Sequence, residues 1–167
     1  QGHETSLAQV AADELGVPFD DVRVVENSTK EVTEGVGTFA SRTAALGGGA
    51  VSKSCTKVIA KGKQVAADEF DVPVDEVTYS DGSFTHAGSQ SESFLFSEMA
   101  AKVHLGQDIP EDIEPGLAAE TYYDPENCTW PFGTHIAVVE VDPETGEFDF
   151  LDYVATEDCG VQINPTI

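Results

Sequence analysis

The sequence predicts an α+β fold in which helices pack on mixed, mostly antiparallel strands. Apolar residues recur at helical spacing over residues 5–15 and again over residues 40–70. Short runs rich in β-branched and aromatic residues follow in most of the remaining chain. Residues 80–83 and 142–146 link such runs with the Asp, Gly and Pro of tight turns, so the runs that they join are expected to be antiparallel neighbours.

The first part of the chain is predicted to hold two helices and one strand. The first helix covers residues 5–15 and ends before Gly16, a residue type that favours positive φ. Residues 22–25 are mostly β-branched and predict a buried strand, and residues 26–37 predict a polar loop. The second helix runs over residues 40–70. Three consecutive glycines there cost roughly 1 kcal/mol each, which indicates close packing.

The rest of the chain is predicted to hold short strands and one further helix. A hairpin joins residues 77–79 to residues 84–86, and a helix capped by Ser91 or Ser93 covers residues 91–104. A loop rich in proline and acid follows. The further strands are expected at residues 118–123, 132–141 and 148–155.

Residues 66–77 echo the pattern of residues 11–22. Each segment runs from two alanines and two acids, through an apolar residue and a Val-Pro pair, to an acidic bend and a valine. Both segments therefore predict a helix end, a turn and a strand. Duplication and the shared chemistry of two such junctions both remain explanations of this echo.

The composition predicts a single globular domain over residues 1–167 with an acidic surface. The chain carries 31 Asp and Glu against 8 Lys and Arg, a net charge of -23, although 40% of its residues are hydrophobic. The acids are dispersed, which argues against a disordered tail. This charge repels nucleic acids and anionic lipids, so neither is an expected partner. It favours a surface adapted to high salt in a halophile, and leaves open a basic partner or a store of cations.

The cysteines and the chain ends bear on the cellular setting. Cys55, Cys128 and Cys159 form no CxxC pair, so neither a disulfide framework nor a zinc knuckle is expected. The sequence shows no secretory signal and no apolar run of about 18 residues that would span a membrane. A reduced, cytoplasmic setting is therefore predicted. Because the chain starts without Met and stops abruptly, we expect it to be an excised part of a longer protein.

The start of the first helix is a candidate ligand site. Gln1, Gly2 and His3 stand there, followed by Glu4 and Thr5. Free backbone N–H groups and the positive end of the helix dipole favour an anion or a carbonyl-rich ligand at such a place. Gly, Glu and Thr also cap ordinary helices, and local chemistry alone favours that structural role.

The segment Gly35-Val36-Gly37-Thr38-Phe39-Ala40-Ser41-Arg42-Thr43 is a second candidate. It brings two glycines, three hydroxyls and an arginine to a predicted helix start. Hydroxyls, N–H groups and a guanidinium are the donors that phosphate oxygens accept. The segment matches neither the GxGxxG fingerprint nor the P-loop. A phosphate site and a set of ordinary caps explain it equally well.

The remaining residues predict neither a catalytic nor a metal centre. The histidines, at positions 3, 86, 104 and 135, have none of the spacings of a zinc or iron site. His135 lies in a predicted strand, where a core or edge role is commoner than a ligand role. Ser41 has no GxSxG elbow, and no cysteine lies in a recognisable nucleophile signature. The local residues therefore assemble no enzyme by themselves.

These segments, in chain order, resemble the large subunits of the xanthine dehydrogenase family of molybdenum hydroxylases, particularly its aerobic carbon monoxide dehydrogenase branch. Residues 1–5 resemble a glutamine-glycine cofactor loop of that family, and residues 35–43 resemble its next cofactor-facing loop. Residues 122–142 are similar to a segment of the carbon monoxide dehydrogenase-like members. Asp158-Cys159-Gly160, followed by Ile163-Asn164-Pro165, resembles the stretch before a further cofactor-binding glutamine.

The resemblance implies that a molybdenum-pterin cofactor, in its cytosine dinucleotide form, lies across these loops. It also implies two partners that carry electrons away, an iron-sulfur small subunit and an FAD-binding medium subunit, and a small-molecule substrate oxidised with oxygen from water. The cofactor-binding positions that it implies in this chain are Gln1, Gly2, His3, Thr38, Ser41, Arg42, Thr43, Cys159 and Asn164.

Two functional features of the family lie outside this sequence. The catalytic glutamate comes from a motif far downstream, and the loop that separates carbon monoxide dehydrogenases from aldehyde or xanthine enzymes lies upstream. The isolated chain is therefore expected to be inactive and to leave the substrate open. The alternative is a non-enzymatic acidic binding module whose loops are ordinary caps, and an unrelated small enzyme is the third possibility.

Overall fold

The computed structural model describes residues 1–26, 28–32, 34–106 and 108–166, with residues 90–92 described by their backbone alone. The chain forms two compact units, Gln1–Pro125 and residues 126–166. Helices together with antiparallel ladders confirm the predicted α+β class. Within the described residues, no helix is both long enough and apolar enough to cross a membrane.

The first unit is built on two helices, α1 (His3–Leu15) and α2 (Thr43–Phe70). α1 packs along α2, and the small side chains of Ala8 and Ala12 are the buried residues of α1. Because the side chain of alanine is short, the axes of α1 and α2 can approach each other closely at these positions. Both predicted helices are therefore present, the first nearly as predicted and the second with a later start.

A three-stranded antiparallel sheet packs against α2. Its strands β1 (Val77–Ser80), β2 (Ser83–His86) and β3 (Ser89–Leu95) follow one another in the sheet. Asp81 and Gly82, with φ angles of 49° and 73°, form the two-residue turn between β1 and β2. Positive φ at both positions matches the twist of a tight hairpin, so the predicted hairpin is confirmed.

A third helix, α3 (Phe96–Leu105), follows β3 directly. The predicted helix start at residue 91 was wrong, because residues 91–95 belong to β3, in which residues 93–95 pair with β2. The ladder satisfies backbone groups that a helix start would leave without partners, and this outweighs the capping preference of the serines. The cap lies at Leu95, whose N–H is accepted by the carboxylate of Glu98 at 2.8 Å.

The main core of the described residues lies between α2, the sheet and α3. Phe84, Met99 and Val103 are completely buried at its centre. Gly62 of α2 lies under the ring of Phe84, and a methyl group at Gly62 would overlap that ring. Glycine therefore allows the sheet to approach the helix. The core consists of Val65, Ala66, Ala67, Val77, Phe84, Met99, Val103 and Ile113.

Two segments predicted as strands are extended but join no ladder of the described residues. Residues 22–25 and residues 118–123 show the alternating exposure of strands, without strand hydrogen bonds. The two strand predictions were therefore wrong, because pairing depends on a partner that periodicity does not reveal. The predicted burial of residues 22–25 was also wrong, since these residues are alternately half-buried and exposed. Within the second segment, the carbonyl oxygen of Glu120 accepts a hydrogen bond from Nζ of Lys57 of α2 at 2.8 Å.

The second unit is a two-stranded antiparallel ribbon of β4 (Phe132–Val141) and β5 (Phe148–Asp158). In the turn between them, the N–H of Gly146 donates to the carbonyl oxygen of Asp142 at 2.8 Å. Both predicted strands and their turn are confirmed, and β5 continues beyond the predicted end at residue 155. A register shift between Val138 and Val139 marks a β-bulge.

Candidate functional site

An open cavity of about 900 Å³ lies where the N-terminal ends of α1 and α2 meet. Residues 1–5 form one part of its wall, and residues 35–38 with Thr43 form another. Glu26, Val32 and Gly47 complete it. The two segments singled out from the sequence, although far apart along the chain, therefore face one space.

The first turn of α1 supplies backbone donors to this cavity. Gly2 precedes the helix with a φ of 73°, and its carbonyl oxygen accepts the N–H and the hydroxyl of Ser6, both at 3.0 Å. The N–H groups of His3, Glu4 and Thr5 have no acceptor within an α-helix. The positive end of the helix dipole lies at the same place, so this turn favours negative charge.

The loop before α2 contains a sharp left-handed turn. Ala40 and Ser41 have φ angles of 51° and 52°, and the N–H of Arg42 donates to the carbonyl oxygen of Phe39 at 3.2 Å. Non-glycine residues adopt this conformation at a cost of roughly 1–2 kcal/mol each, so the turn is strained. An α-helix excludes such angles. The predicted helix start at residue 40 was therefore wrong, and α2 begins at Thr43.

A pair of threonines joins the loop to α2. Thr43, the first residue of the helix, donates its hydroxyl to the hydroxyl of Thr38, with an Oγ1–Oγ1 distance of 3.2 Å. Because Thr38 is the acceptor in this bond, its own hydroxyl proton remains to be donated. Both residues line the cavity. The pair therefore fixes the loop and presents a donor to a ligand.

The electrostatics of the cavity are mixed. Thr5, Thr38 and Thr43 line it together with Glu4 and Glu26. The hydroxyls and the two helix starts favour an anionic ligand, whereas the carboxylates repel one. The chain as a whole adds a net charge of -23. We therefore expect the affinity for an anion to depend on dissolved salt, which screens the repulsion.

Of the seven predicted site residues in the first unit, the structure brings five together at the cavity and leaves two off its wall. Ser41 and Arg42 are exposed residues of the strained turn and do not form part of the cavity wall. The residues on the wall are Gln1, Gly2, His3, Thr38 and Thr43. The wall thus contains the predicted helix-start residues and two of the three predicted hydroxyls.

Cys159 and Asn164 belong to the second unit, beyond the end of β5. The thiol of Cys159 is exposed, and the carboxylate of Asp158 before it accepts the N–H of Gly160 at 3.0 Å. Oδ1 of Asn164 accepts the N–H and the hydroxyl of Thr166 at 3.0 and 2.6 Å. This local turn leaves the amide N–H groups of Asn164 as donors. A cofactor role for Cys159 and Asn164 stays a prediction.

Two further chemically capable residues, His135 and Cys55, have surroundings that suit a structural role. His135 lies between the hydroxyl of Tyr153, at 2.7 Å from Nδ1, and the carboxylate of Glu157, at 2.8 Å from Nε2. These two contacts join His135 of β4 to β5, which agrees with the predicted structural role of a histidine at a strand edge. Burial first, and Glu14 second, raise the pKa of the Cys55 thiol, which disfavours a reactive thiolate. Across the described part of the chain, no cluster of three His, Cys, Asp or Glu is placed to hold a metal.

Sequence reasoning missed part of the wall. Glu26 and Val32 line the cavity, although the sequence predicted only a polar loop around them. Nothing in their local pattern marks them, because the path of the loop alone brings them to the cavity. Thr5 could have been recognised from the sequence, because it carries a hydroxyl and lies in the first turn of α1 close to the predicted site residues 1–3.

Residues 1–167 match the family model described as the molybdopterin cofactor-binding domain. The chain therefore belongs to the molybdopterin cofactor-binding domain family. It is 36% identical over 167 residues to the carbon monoxide dehydrogenase large chain of Hydrogenophaga pseudoflava, across 100% of this chain and 20% of that protein. It is 34% identical over 168 residues to the nicotine 6-hydroxylase large subunit of Paenarthrobacter nicotinovorans, across 100% of this chain and 21% of that protein.

A solved structure shows the same relationship in three dimensions. The crystal structure of a Cu,Mo-carbon monoxide dehydrogenase in its carbon monoxide reduced state aligns with a TM-score of 0.89 and 34% identity. The alignment covers 99% of this chain and 20% of that chain. This chain is thus a molybdenum-cofactor-binding domain homologous to such large subunits, and spans about a fifth of their length. The resemblance seen in the sequence is confirmed.

The cavity fits a molybdopterin by its donors and its size. A molybdopterin offers phosphate oxygens that accept hydrogen bonds and a pterin ring that both accepts and donates them. The hydroxyls of Thr5, Thr38 and Thr43 and the N–H groups of two helix starts complement them. The volume of about 900 Å³ lies within the range of sites for small molecules and cofactors.

Proposed function

We propose that this chain, residues 1–167, is one domain of the large subunit of a molybdenum-dependent dehydrogenase or hydroxylase, and that it holds the cofactor there. The enzyme is of the carbon monoxide, aldehyde or xanthine dehydrogenase type. The observation that carries the proposal is the meeting of the α1 and α2 starts at one cavity, in a chain of the molybdopterin-binding family. When bound, the cofactor supplies the molybdenum centre at which the substrate is oxidised.

The residues of this chain bind and orient the cofactor in the proposal. The hydroxyl of Thr38 donates to a charged oxygen, and Thr43 fixes the rotamer of Thr38 through their shared hydrogen bond. The N–H groups of the first turn of α1 donate beside it, together with the side chains of Gln1 and His3. Hydrogen bonds to charged groups contribute about 1.5–3 kcal/mol each, so a few of them would hold the cofactor firmly.

Four further residues are included in the proposal because the segments that contain them resemble cofactor-binding segments of the family. Arg42 precedes α2 and carries the fork of donors that suits a phosphate group, although it lies off the cavity wall. Ser41, in the same turn, offers a hydroxyl. Cys159 and Asn164 offer a thiol and an amide from the second unit.

The same family relationship supports the finer parts of the proposal. We propose the cytosine dinucleotide form of the cofactor, an iron-sulfur small subunit and an FAD-binding medium subunit as electron carriers, and a cytoplasmic location. The isolated chain does not turn over in this account, because the catalytic glutamate lies elsewhere in the subunit. The 31 acids against 8 basic residues support a surface adapted to the high salt of a halophile.

The cofactor content of the purified large subunit tests the proposal. Thr38→Val removes the donor hydroxyl with little change of volume, so the cofactor should lose one hydrogen bond to a charged oxygen. A loss of about 1.5–3 kcal/mol lowers the affinity roughly 10- to 150-fold. We therefore expect most of the pterin, measured by fluorescence after denaturation, and most of the molybdenum, measured by elemental mass spectrometry, to be lost.

Thr56→Val is the matched control. The hydroxyl of Thr56 donates to the carbonyl oxygen of Ser52 at 3.1 Å, also on α2, and Thr56 is not part of the cavity wall. This variant should keep the cofactor content of the wild type. The rival account, an acidic module without a cofactor, predicts no molybdenum or pterin in any of the three proteins. Equal cofactor content in the wild type and Thr38→Val would contradict the proposed site.

A further inference from the structure

Three consecutive glycines lie in α2 directly beside the cavity. Gly47, Gly48 and Gly49, the triglycine of α2, begin one helical turn after Thr43. Glycine has the lowest helix propensity apart from proline, because its backbone loses the most freedom in a helix. The position of Thr43, and of the loop to which Thr43 is bonded, therefore depends on what packs against the triglycine.

The ring of Tyr123 packs on one side of the triglycine. It lies so close to Gly49 that a methyl group there would come within 2.5 Å of Cδ1 and Cε1 of the ring. Nζ of Lys53, one turn further along α2, lies 4.8 Å from the centroid of the same ring. The side chain of Tyr123 is half-buried. The ring therefore rests directly on the helix backbone, an approach that glycine allows and a larger residue would prevent.

Lysines of α2 hold the extended segment that carries this ring. Lys57 and Lys61 continue the same face of the helix, because residues spaced by four lie one above the other. Lys57 donates from Nζ to the carbonyl oxygen of Glu120 at 2.8 Å, and Lys61 donates to that of Gly116 at 2.5 Å. The segment therefore runs antiparallel to α2 and is fixed by side chains of the helix, which determines where the ring lies.

Helix α1 and the cavity lie on the other side of the triglycine. A methyl group at Gly47 would lie 3.6 Å from Cδ2 of Leu7 in α1, and Gly47 is also part of the cavity wall. Gly47 and Gly49 are two residues apart, so they point in directions that differ by about 200° around the helix axis. The triglycine is therefore held between Leu7 of α1 and the ring of Tyr123.

We propose that Tyr123 is a positioning residue of the cofactor site. Its ring holds the triglycine against α1, which fixes the start of α2 and with it Thr43 and the hydroxyl of Thr38 that Thr43 orients. Tyr123 is not part of the cavity wall, so it acts through the helix and not by touching the ligand. The ring makes the contact, and the phenol hydroxyl is not required for it. The inference rests on the proposed function, because the ligand of Thr38 is the cofactor of that proposal.

The rate at which molybdopterin dissociates from the full-length large subunit, within its enzyme complex, tests the inference. Tyr123→Ala should raise this rate on the order of 10-fold, because the hydrogen bonds at Thr38 are misdirected rather than removed. Tyr123→Phe keeps the ring and should restore the rate of the wild type. Tyr122→Ala is the matched control, since this neighbouring side chain is 83% exposed and should leave the rate unchanged.

Two glycine variants separate positioning from a general loss of stability. Gly49→Ala overlaps the ring of Tyr123 and should also speed dissociation, but the double variant with Tyr123→Ala should be no faster than Tyr123→Ala alone. Gly62→Ala strains the main core further along α2 and should keep the rate of the wild type. The inference is overturned by additive effects at the two positions, by equal rates in Gly62→Ala and Tyr123→Ala, or by a failure of Tyr123→Phe to restore the rate.

Amide hydrogen exchange after removal of the cofactor separates this inference from the proposed function. The amides of residues 47–50 should exchange on the order of 10-fold faster in Tyr123→Ala than in Tyr123→Phe, because the start of α2 opens more often without the ring. A wild-type subunit that never contains molybdopterin but shows this difference would contradict the proposed function alone. A subunit that binds molybdopterin, with the same exchange and the same dissociation rate in both variants, would overturn the positioning role alone.

Discussion

The hydroxyl of Thr43, at the first residue of α2, donates to the hydroxyl of Thr38 across 3.2 Å. This bond crosses from the strained loop to the helix, so the position of Thr38 depends on Thr43. Both side chains line the cavity, where the remaining proton of Thr38 is available to an acceptor. The two threonines should therefore act on a bound cofactor as one unit rather than as two independent donors.

Removing the two hydroxyls singly and together should give non-additive losses of cofactor affinity. Thr38→Val and Thr43→Val each break the shared bond, so the double variant should lose less than the sum of the single losses. The difference should be about 0.5–3 kcal/mol, the usual coupling of residues in direct contact. Cofactor dissociation from the large subunit measures each loss. The pair Thr38→Val and Thr56→Val should be additive, and additivity in both pairs would contradict the shared role.

Gly62→Ala should destabilise the first unit. A methyl group at Gly62 would overlap the completely buried ring of Phe84, and the core can accommodate it only by moving α2 away from the sheet. Overpacking of this kind costs about 1–3 kcal/mol. The free energy of unfolding of the large subunit, measured with denaturant, reports the change.

Gly48→Ala in the same helix is the matched control. A methyl group at Gly48 would meet no described atom within 4 Å, so the helix propensity of alanine should decide the outcome. That propensity favours alanine over glycine by about 1 kcal/mol. Gly48→Ala should therefore leave stability unchanged or raise it. If both variants lost the same free energy of unfolding, the overlap with Phe84 would not explain why glycine is needed at position 62.

Tyr79 should make stability depend on pH in alkaline solution. Burial first, and the nearby Cys55 second, raise the pKa of Tyr79 from 10.0 to about 12, and its hydroxyl donates to the carbonyl oxygen of Leu15. The folded chain therefore holds this proton more tightly than the unfolded chain does. The stabilising contribution is complete below pH 10.0 and is lost as the pH rises towards about 12.

Tyr79→Phe isolates this contribution. The wild type should be more stable than the variant by about 0.5–1.5 kcal/mol in neutral solution, because the variant lacks the hydrogen bond to Leu15. This difference in stability should shrink as the pH rises from 10.0 towards about 12. Denaturant unfolding at several alkaline pH values measures it, and a difference that stays constant would contradict the assigned pKa shift.

Salt should stabilise the protein strongly. With 31 acids and 8 basic residues, the folded chain carries a net charge of -23, and compaction brings these charges together. At molar salt the screening length falls to about 3 Å, so most of the repulsion is removed. The melting temperature should rise steeply between dilute buffer and molar potassium chloride. A flat melting temperature, or the same rise in sucrose of equal osmolality, would contradict the halophilic surface.

Local chemistry was enough to predict the elements that depend on neighbouring residues. Gly16 ends α1 because the left-handed conformation suits glycine, and Asp81 with Gly82 makes the predicted hairpin turn. The turn between β4 and β5 was predicted for the same reason. The long helix was predicted from its apolar spacing, although the left-handed Ala40 and Ser41 were not foreseen.

Features that depend on distant partners escaped prediction. Residues 22–25 have the composition of a strand, but composition does not show whether another strand lies beside them. Residues 91–95 carry serines that suit a helix cap, yet these residues belong to β3, where residues 93–95 pair with β2. At the site, the donors of residues 1–5 and residues 35–43 were visible in the sequence. The family resemblance also implied that one cofactor lies across both segments, whereas local patterns do not encode the packing of α1 on α2 that brings them to one cavity.

The position of the cofactor in the loaded large subunit tests the central claim most directly. A crystal structure of the holoenzyme should place acceptor atoms of the cofactor within about 3.2 Å of Oγ1 of Thr38 and of an N–H in the first turn of α1. Both contacts should be made by the same molecule, because the two segments face one cavity. A cofactor bound elsewhere, with residues 1–5 and residues 35–43 facing solvent or protein alone, would contradict the account.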